Sequence, residues 1–382
     1  MTADRTQGAA CSPEGPQGGA CSPCLRRSHL IAFLAPRIQG LLSRRYGRAS
    51  VLLGLEEEEL IKAVGGSRQE AAHRYAASFD AEAARRRVED VGARALCAHG
   101  SGYPTGLTRL ADPPAVLYVV GEPGRLDTEE GSSVAIVGSR RSTPYGLEVA
   151  HEFGRGLGAA GVSVVSGLAL GVDAAAHRGA LAANGAAIAV LACGPDVVYP
   201  RLHRPLYERI RRVGAVVSEL PPGQPALRWS FPARNRIMAA LADLVVVVEA
   251  AEGSGSLYTS AFAEQLGREV AAVPGRITGR ASTGSNRLLR DGATVVLGPQ
   301  DVLDALFGVG QRSAADADLP AAALEPRELQ VLQGVEAARG GADAIGRDLG
   351  LSAGPVRAAL GRLETLGLVA RDSFGLYERT AR

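Results

Sequence analysis

From Ser133 onward the chain alternates between two textures, and few folds accommodate that alternation. Short, continuously apolar runs recur at Val134–Val137, Val162–Val165, Ala187–Leu191, Ala215–Val217, Leu244–Val248 and Val270–Val273. Between them lie alanine-rich segments of helical length. A strand that is apolar on both faces must be covered on both, and the intervening helices can do this. The pattern predicts an α/β fold with a doubly wound, mostly parallel sheet. Ligands of such sheets bind beyond the carboxyl ends of the strands, so the loops there are where function is sought.

At ~150 residues per domain, 382 residues leave room for further domains. Residues 1–24 are rich in Gly, Pro, Ala, Ser and Gln and predict a disordered leader. Residues 25–100 predict a small helical domain, with Leu30, Phe33, Leu34, Ile38, Leu41 and Leu42 at helical spacing. The α/β domain is expected over 101–307, followed by a polar linker at 308–320. Residues 321–382 predict three helices and a β ribbon flanked by Gly367 and Gly375, the pattern of a winged-helix module. Pro326 and Pro355 suit first helical turns, with Ser352 as a cap.

No window approaches the ~18–20 uninterrupted apolar residues of a membrane-spanning helix. Lys62 is the only lysine, so 41 of the 42 basic residues are arginine. A Gly-Lys-[Ser/Thr] phosphate loop is therefore excluded, since Lys62 lies between Ile61 and Ala63. No G-x-S-x-G elbow follows any of the six apolar runs, and no G-x-G-x-x-G follows the first strand. Cys11, Cys21, Cys24, Cys97 and Cys193 are too scattered for a disulfide framework, and no secretory signal precedes them, so a reduced, cytoplasmic setting is expected. Cys21-Ser-Pro-Cys24 has the spacing of a zinc half-site, but no second pair follows nearby and it lies in the leader. Neither a metal nor another cofactor is expected.

The strand-end loops carry the chemistry. The first delivers Gly138, Ser139 and Arg140 to the start of a helix over about Gly146–Ala159, where the positive helix end and the guanidinium make an anion site. The second runs Ser166-Gly167-Leu168-Ala169-Leu170-Gly171-Val172-Asp173, with His177 one turn on; capping by Asp173 and local packing of His177 are expected. Arg228-Trp229-Ser230-Phe231-Pro232-Ala233-Arg234-Asn235-Arg236 packs three guanidiniums, two aromatics and an amide into nine residues. Bases can stack on Phe231 or Trp229 while arginines hold phosphates, as in single-strand binding. Gly253, Ser254 and Gly255 form a further small-residue turn into a helix, a second phosphate cradle. No catalytic constellation stands out. The alternative, a nucleotide-cleaving enzyme, needs a pocket carboxylate, for which Glu249 and Glu252 are the candidates.

In this order these motifs resemble the DNA-processing protein A (DprA/Smf) family. The resemblance rests on Val134–Arg140 with Tyr145-Gly146, Ser166–Asp173 with His177, Ala189–Pro200, Ser218-Glu219 with Phe231–Ile237, Val247–Leu257, and Ala272–Gly275 with Gly284–Arg287. It opens at Tyr103-Pro104 and spans roughly 103–300. It implies an extended Rossmann-like domain that binds single-stranded DNA, is dimeric, and loads RecA recombinase during natural transformation without an essential catalytic activity. It further implies a DNA pocket using Arg140, Arg228, Phe231, Arg234, Asn235 and Arg236. The family's amino-terminal region resembles a sterile-alpha-motif or helix-hairpin-helix fold, whose hairpin turn corresponds here to Ala35-Pro36-Arg37. Residues 131–300 hold 17 basic and 12 acidic side chains, whereas 321–382 hold eight of each. The winged helix therefore reads as a protein-contact or accessory module rather than a groove reader.

Overall fold

Each of the six apolar runs carries a strand in the computed structural model, which describes residues 19–42, 49–126, 133–314, 325–337, 341–365, 368–371 and 375–379. With two earlier strands and one later they build a nine-stranded sheet. Its members are β1 (Arg94–Leu96), β2 (Leu117–Gly121), β3 (Ser133–Val137), β4 (Ser163–Ser166), β5 (Ala187–Val190), β6 (Ala215–Ser218), β7 (Leu244–Val247), β8 (Glu269–Ala272) and β9 (Thr294–Val295). The spatial order is β1-β2-β6-β5-β4-β3-β7-β8-β9. From β6 to β9 all neighbours are parallel, while β2 runs antiparallel to both β6 and β1.

The chain winds outward from β3 through β4 and β5 to β6, then returns to the other side of β3 as β7. The direction of winding reverses between these two strands, and the loops leaving them diverge to open a crevice. Burial follows the period of two. Ala135 and Val137 enter one core cluster, Val134 and Ile136 the other. On the second face the helices Pro144–Ala159 and Val172–Ala182 lie backbone to backbone. A Cβ on Gly154 would overlap the Ala176 carbonyl, and one on Gly179 the His151 carbonyl, so glycine permits this approach.

The chain divides into two compact units, one ending at Ala314 and one starting at Ala315. In the first, the amino-terminal helices share cores with the sheet. Leu25, Val88 and Cys97 pack with Val116 and Val216, and Leu30, Leu34 and Ile38 pack with Leu220 and Trp229. Three expectations are corrected here. The expected leader covers residues 1–24, but Ala20 and Cys21 are buried and a helix runs Ser22–Leu41; residues 1–18, with Cys11, lie outside the described residues. Ala35-Pro36-Arg37 makes no hairpin turn, because the helix continues through Pro36, held by the fully buried Leu30, Leu34 and Ile38 on one face. Residues 25–100 are not wholly helical, since Arg94–Leu96 forms the edge strand β1.

The second unit has helices Pro326–Ala337, Ala342–Asp348 and Ala353–Thr365, then the antiparallel pair β10 (Val369–Arg371) and β11 (Tyr377–Arg379). Its core gathers Val331, Leu332, Val335, Ile345, Val356 and Leu360. Gly367 and linker residues 315–320 lie outside the described residues.

Candidate functional site

At the reversal between β3 and β7 lies an open cleft of about 480 Å³, lined by the loops after β3, β4 and β7 and by the start of helix Ser230–Ala240. Of the residues expected at the site, Gly138, Ser139, Arg140, Arg228, Phe231, Arg234, Asn235, Ser254 and Gly255 line it. Gly167 lines a smaller adjoining pocket with Arg140 and Phe231.

The mouth is cationic and aromatic. Arg140, Arg141 and Arg228 are exposed, and none forms an ion pair among the described residues. The Arg140 guanidinium lies over the Phe231 ring, 4.4 Å from its centroid, and Tyr199 tilts against the same ring at 5.6 Å. The phenyl face expected to receive a base thus carries Arg140, whose outer face can itself stack on a base. Arg228 is oriented by its backbone N–H, which donates to Gln39 Oε1 at 2.8 Å. Opposite, the Ser254 and Ser256 hydroxyls lie 2.8 Å apart, and Asn235 Nδ2 donates to the Gly255 carbonyl at 2.9 Å.

Beneath the mouth the arginines are spoken for. Arg234 is buried; it pairs with Asp173 at 3.5 Å and donates to the carbonyls of Gly167 and, very closely, Val190. Gly167 is required here, because any Cβ would overlap that guanidinium. Asp173 Oδ2 also accepts from the N–H groups of Gly167 (3.2 Å) and Ala169 (3.4 Å), turning the loop back through Leu168, whose φ is 54°. Burial raises the Asp173 pKa above the usual carboxylate range although Arg234 opposes this, and burial lowers that of Arg234. His177 is fully buried against the Ile188 carbonyl at 3.3 Å, and burial depresses it to about 3.

Several site expectations are corrected. Arg236 does not reach the cleft: it is buried between Asp112 (2.8 Å) and Glu219 (2.7 Å). Burial works against its charge, but the two carboxylates outweigh this and raise its pKa; burial pushes Asp112 up to about 6. Trp229 offers no stacking face, being fully buried among the amino-terminal helices. Ser166 is buried, its hydroxyl donating to the Ile136 carbonyl at 2.6 Å. Gly253 faces a separate cleft with Glu252 and Arg287.

The helix Pro144–Ala159 does not present a free positive end either. Glu249 already supplies an anion there, accepting from the Ser142 hydroxyl (2.6 Å), the Thr143 N–H (2.8 Å) and the Thr143 hydroxyl (2.8 Å). Residues that sequence reasoning passed over include Arg141, Ser256 and Tyr258, which line the cleft, and Tyr199 beside Phe231. Each lies within two residues of a motif or at a strand-end turn, which is the signal that could have found them.

A family profile described as DNA recombination-mediator protein A matches residues 94–307. A Mycobacterium tuberculosis protein described as a DprA is 43% identical over 260 residues, which cover 67% of this chain and 66% of that one, just under two thirds of its length. The X-ray structure of DNA processing protein A from Streptococcus pneumoniae matches with a TM-score of 0.60 and 30% identity, covering 74% of this chain and 96% of that one. A Helicobacter pylori DNA processing protein A, whose structure concerns a single-stranded DNA binding mode, matches with a TM-score of 0.51 and 32% identity, covering 56% and 95%.

Proposed function

This chain belongs to the DNA recombination-mediator protein A family, and from that premise we propose that it binds single-stranded DNA across the cleft between β3 and β7. The reading is carried by the mouth of that cleft: Arg140, Arg141 and Arg228 are cations without a carboxylate partner among the described residues, and they lie beside the half-buried Phe231 ring and the exposed Tyr199. Phosphates lie against Arg140 and Arg228. Bases stack on the Arg140–Phe231 sandwich and on Tyr199, a sequence-tolerant mode because every base has a π face. The bound strand is thereby protected, and RecA recombinase is loaded onto it in the cytoplasm during natural transformation by a homodimer formed through the sheet domain.

The protein works on this reading by binding rather than by turnover. The carboxylate that a nucleotide-cleaving enzyme would need, Glu249, is buried and holds Ser142 and Thr143, while Glu252 lies outside the cleft, paired with Arg287 at 3.5 Å. The carboxy-terminal unit, with eight basic and eight acidic residues over 321–382, is assigned protein contact.

The test is a salt-titrated binding assay with single- and double-stranded oligonucleotides. Wild type is expected to prefer the single strand, with affinity falling steeply as salt rises. Arg140→Ala is expected to weaken binding and flatten the log–log salt slope by about 0.7, the share of one lost phosphate contact on a single strand. Full affinity in both Arg140→Ala and Arg228→Ala at moderate salt would refute the proposal.

A further inference from the structure

The start of helix Ser22–Leu41 and the turn after β1 bring together four side chains that sequence reasoning had left unconnected. Cys21, Cys24, Cys97 and His99 each point one donor atom inward, and these atoms all lie within 4.8 Å of one another. Cys21 Sγ is 3.7 Å and Cys24 Sγ 3.3 Å from His99 Nδ1, and Cys97 Sγ is 3.9 Å from Cys21 Sγ. A tetrahedral Zn²⁺ with Zn–S of ~2.3 Å and Zn–N of ~2.0–2.1 Å demands S···S near ~3.8 Å and S···N near ~3.6 Å. The observed spacings fall around those values. They are far beyond a disulfide bond of ~2.05 Å, and all three cysteines are free thiols.

The backbone explains why the four meet. Ala20 N–H donates to the Ala95 carbonyl at 2.8 Å, laying the chain entry alongside β1. Cys21 occupies the N-cap position of the helix and Cys24 sits in its first turn, where the positive helix end favours thiolates. Gly100 N–H closes a turn onto the Cys97 carbonyl at 3.0 Å, which sets His99 beside Cys97. Cys21 N–H donates to Cys97 Sγ at 3.4 Å, a bond that helps hold sulfur in its anionic form. Cys21 and Cys97 are buried and Cys24 half-buried, so the sulfurs face one another rather than water.

We propose that Cys21, Cys24, Cys97 and His99 form a structural Zn²⁺ site that clamps the first helix to the edge strand of the sheet. The proposal departs from the expectation of no metal, because the groups facing the C-x-x-C pair lie far along the chain, Cys97 being 76 residues after Cys21. Three thiolates and one imidazole suit zinc, and four protein ligands leave no coordination position for a substrate, so the role is structural. None of the four lines the cleft, so the site stands or falls independently of DNA binding.

The test begins with zinc content of the full chain purified without chelator, where one Zn²⁺ per chain is expected. Replacing it by Co²⁺ should produce the intense visible bands of a tetrahedral thiolate complex and a sulfur-to-cobalt charge-transfer band. Cys24→Ser should lose stoichiometric zinc and the charge-transfer intensity of one sulfur, and chelation should lower the Tm of wild type but not of Cys24→Ser. Wild type that stays substoichiometric after dialysis against Zn²⁺ and shows no charge-transfer band with Co²⁺ would overturn the proposal. A disulfide between any two of the three cysteines in freshly purified, reductant-free protein would do the same.

Discussion

The mouth of the cleft and the interior behind it use the same residue type to opposite ends. At the mouth, Arg140 and Arg228 are exposed and meet no carboxylate among the described residues. Behind the mouth, Arg234 and Arg236 are buried and paired with Asp173, Asp112 and Glu219. A guanidinium is available to an external phosphate only where the fold has not already supplied an anion. The buried pair therefore holds the loops in shape, and the outer pair is left with charge to spend. The same distinction disposes of a helix end: the N-terminus of Pro144–Ala159 would attract a phosphate, had Glu249 not filled it.

The sharpest way to break this contrast is to exchange the expected phenotypes of the two regions. Arg236→Ala leaves Asp112 and Glu219 facing each other without a counter-charge, and breaking a buried pair in this way costs ~3–5 kcal/mol. Urea unfolding should show that loss, whereas DNA affinity per folded molecule should be unchanged; a variant as stable as wild type would mean the ion triad is not structural.

Phe231→Ala acts on the mouth. It should weaken single-strand binding by ~1–3 kcal/mol for the base that loses its stacking platform, with little change in the salt slope and in the urea midpoint. If the slope fell as in Arg140→Ala while stacking fluorescence was unaltered, the ring would serve only to hold Arg140.

The effect that is smallest at neutral pH concerns titration and belongs to the buried interior again. His177 has its folded pKa depressed to about 3 from 6.5, so below pH 6.5 the unfolded chain takes up a proton that the folded chain refuses. Stability contributed by neutral His177 is thus complete above pH 6.5 and falls as pH drops toward 3, by up to ~1.4 kcal/mol per pH unit. His177→Asn should flatten that part of the stability–pH curve while leaving the neutral-pH DNA affinity in place. An unchanged curve would show that other groups dominate acid unfolding.

Much of this was legible in residue order. The strands were readable because burial on both faces needs uninterrupted apolar residues, and the cleft because its loops must leave the carboxyl ends of those strands. Gly138, Ser139, Arg140, Phe231, Ser254 and Gly255 all reach it. Arg228 and Arg236, by contrast, look alike within one nine-residue motif, and nothing local tells that one faces water and the other sits between two carboxylates. Trp229 was ambiguous for the same reason, since only its packing against Leu30 and Leu34 removes it from any ligand.

Sequence alone thus determined which chemistry each side chain carries and which strand ends present it, because both depend on local periodicity and residue type. Tertiary structure alone decided which groups neutralise one another and which donors converge. Arg236 finds the Asp112 carbonyl 124 residues away, and Cys21 finds Cys97 after 76. Ion pairing and metal ligation act through space over a few ångströms, and chain separation carries no record of which distant residues will close that gap.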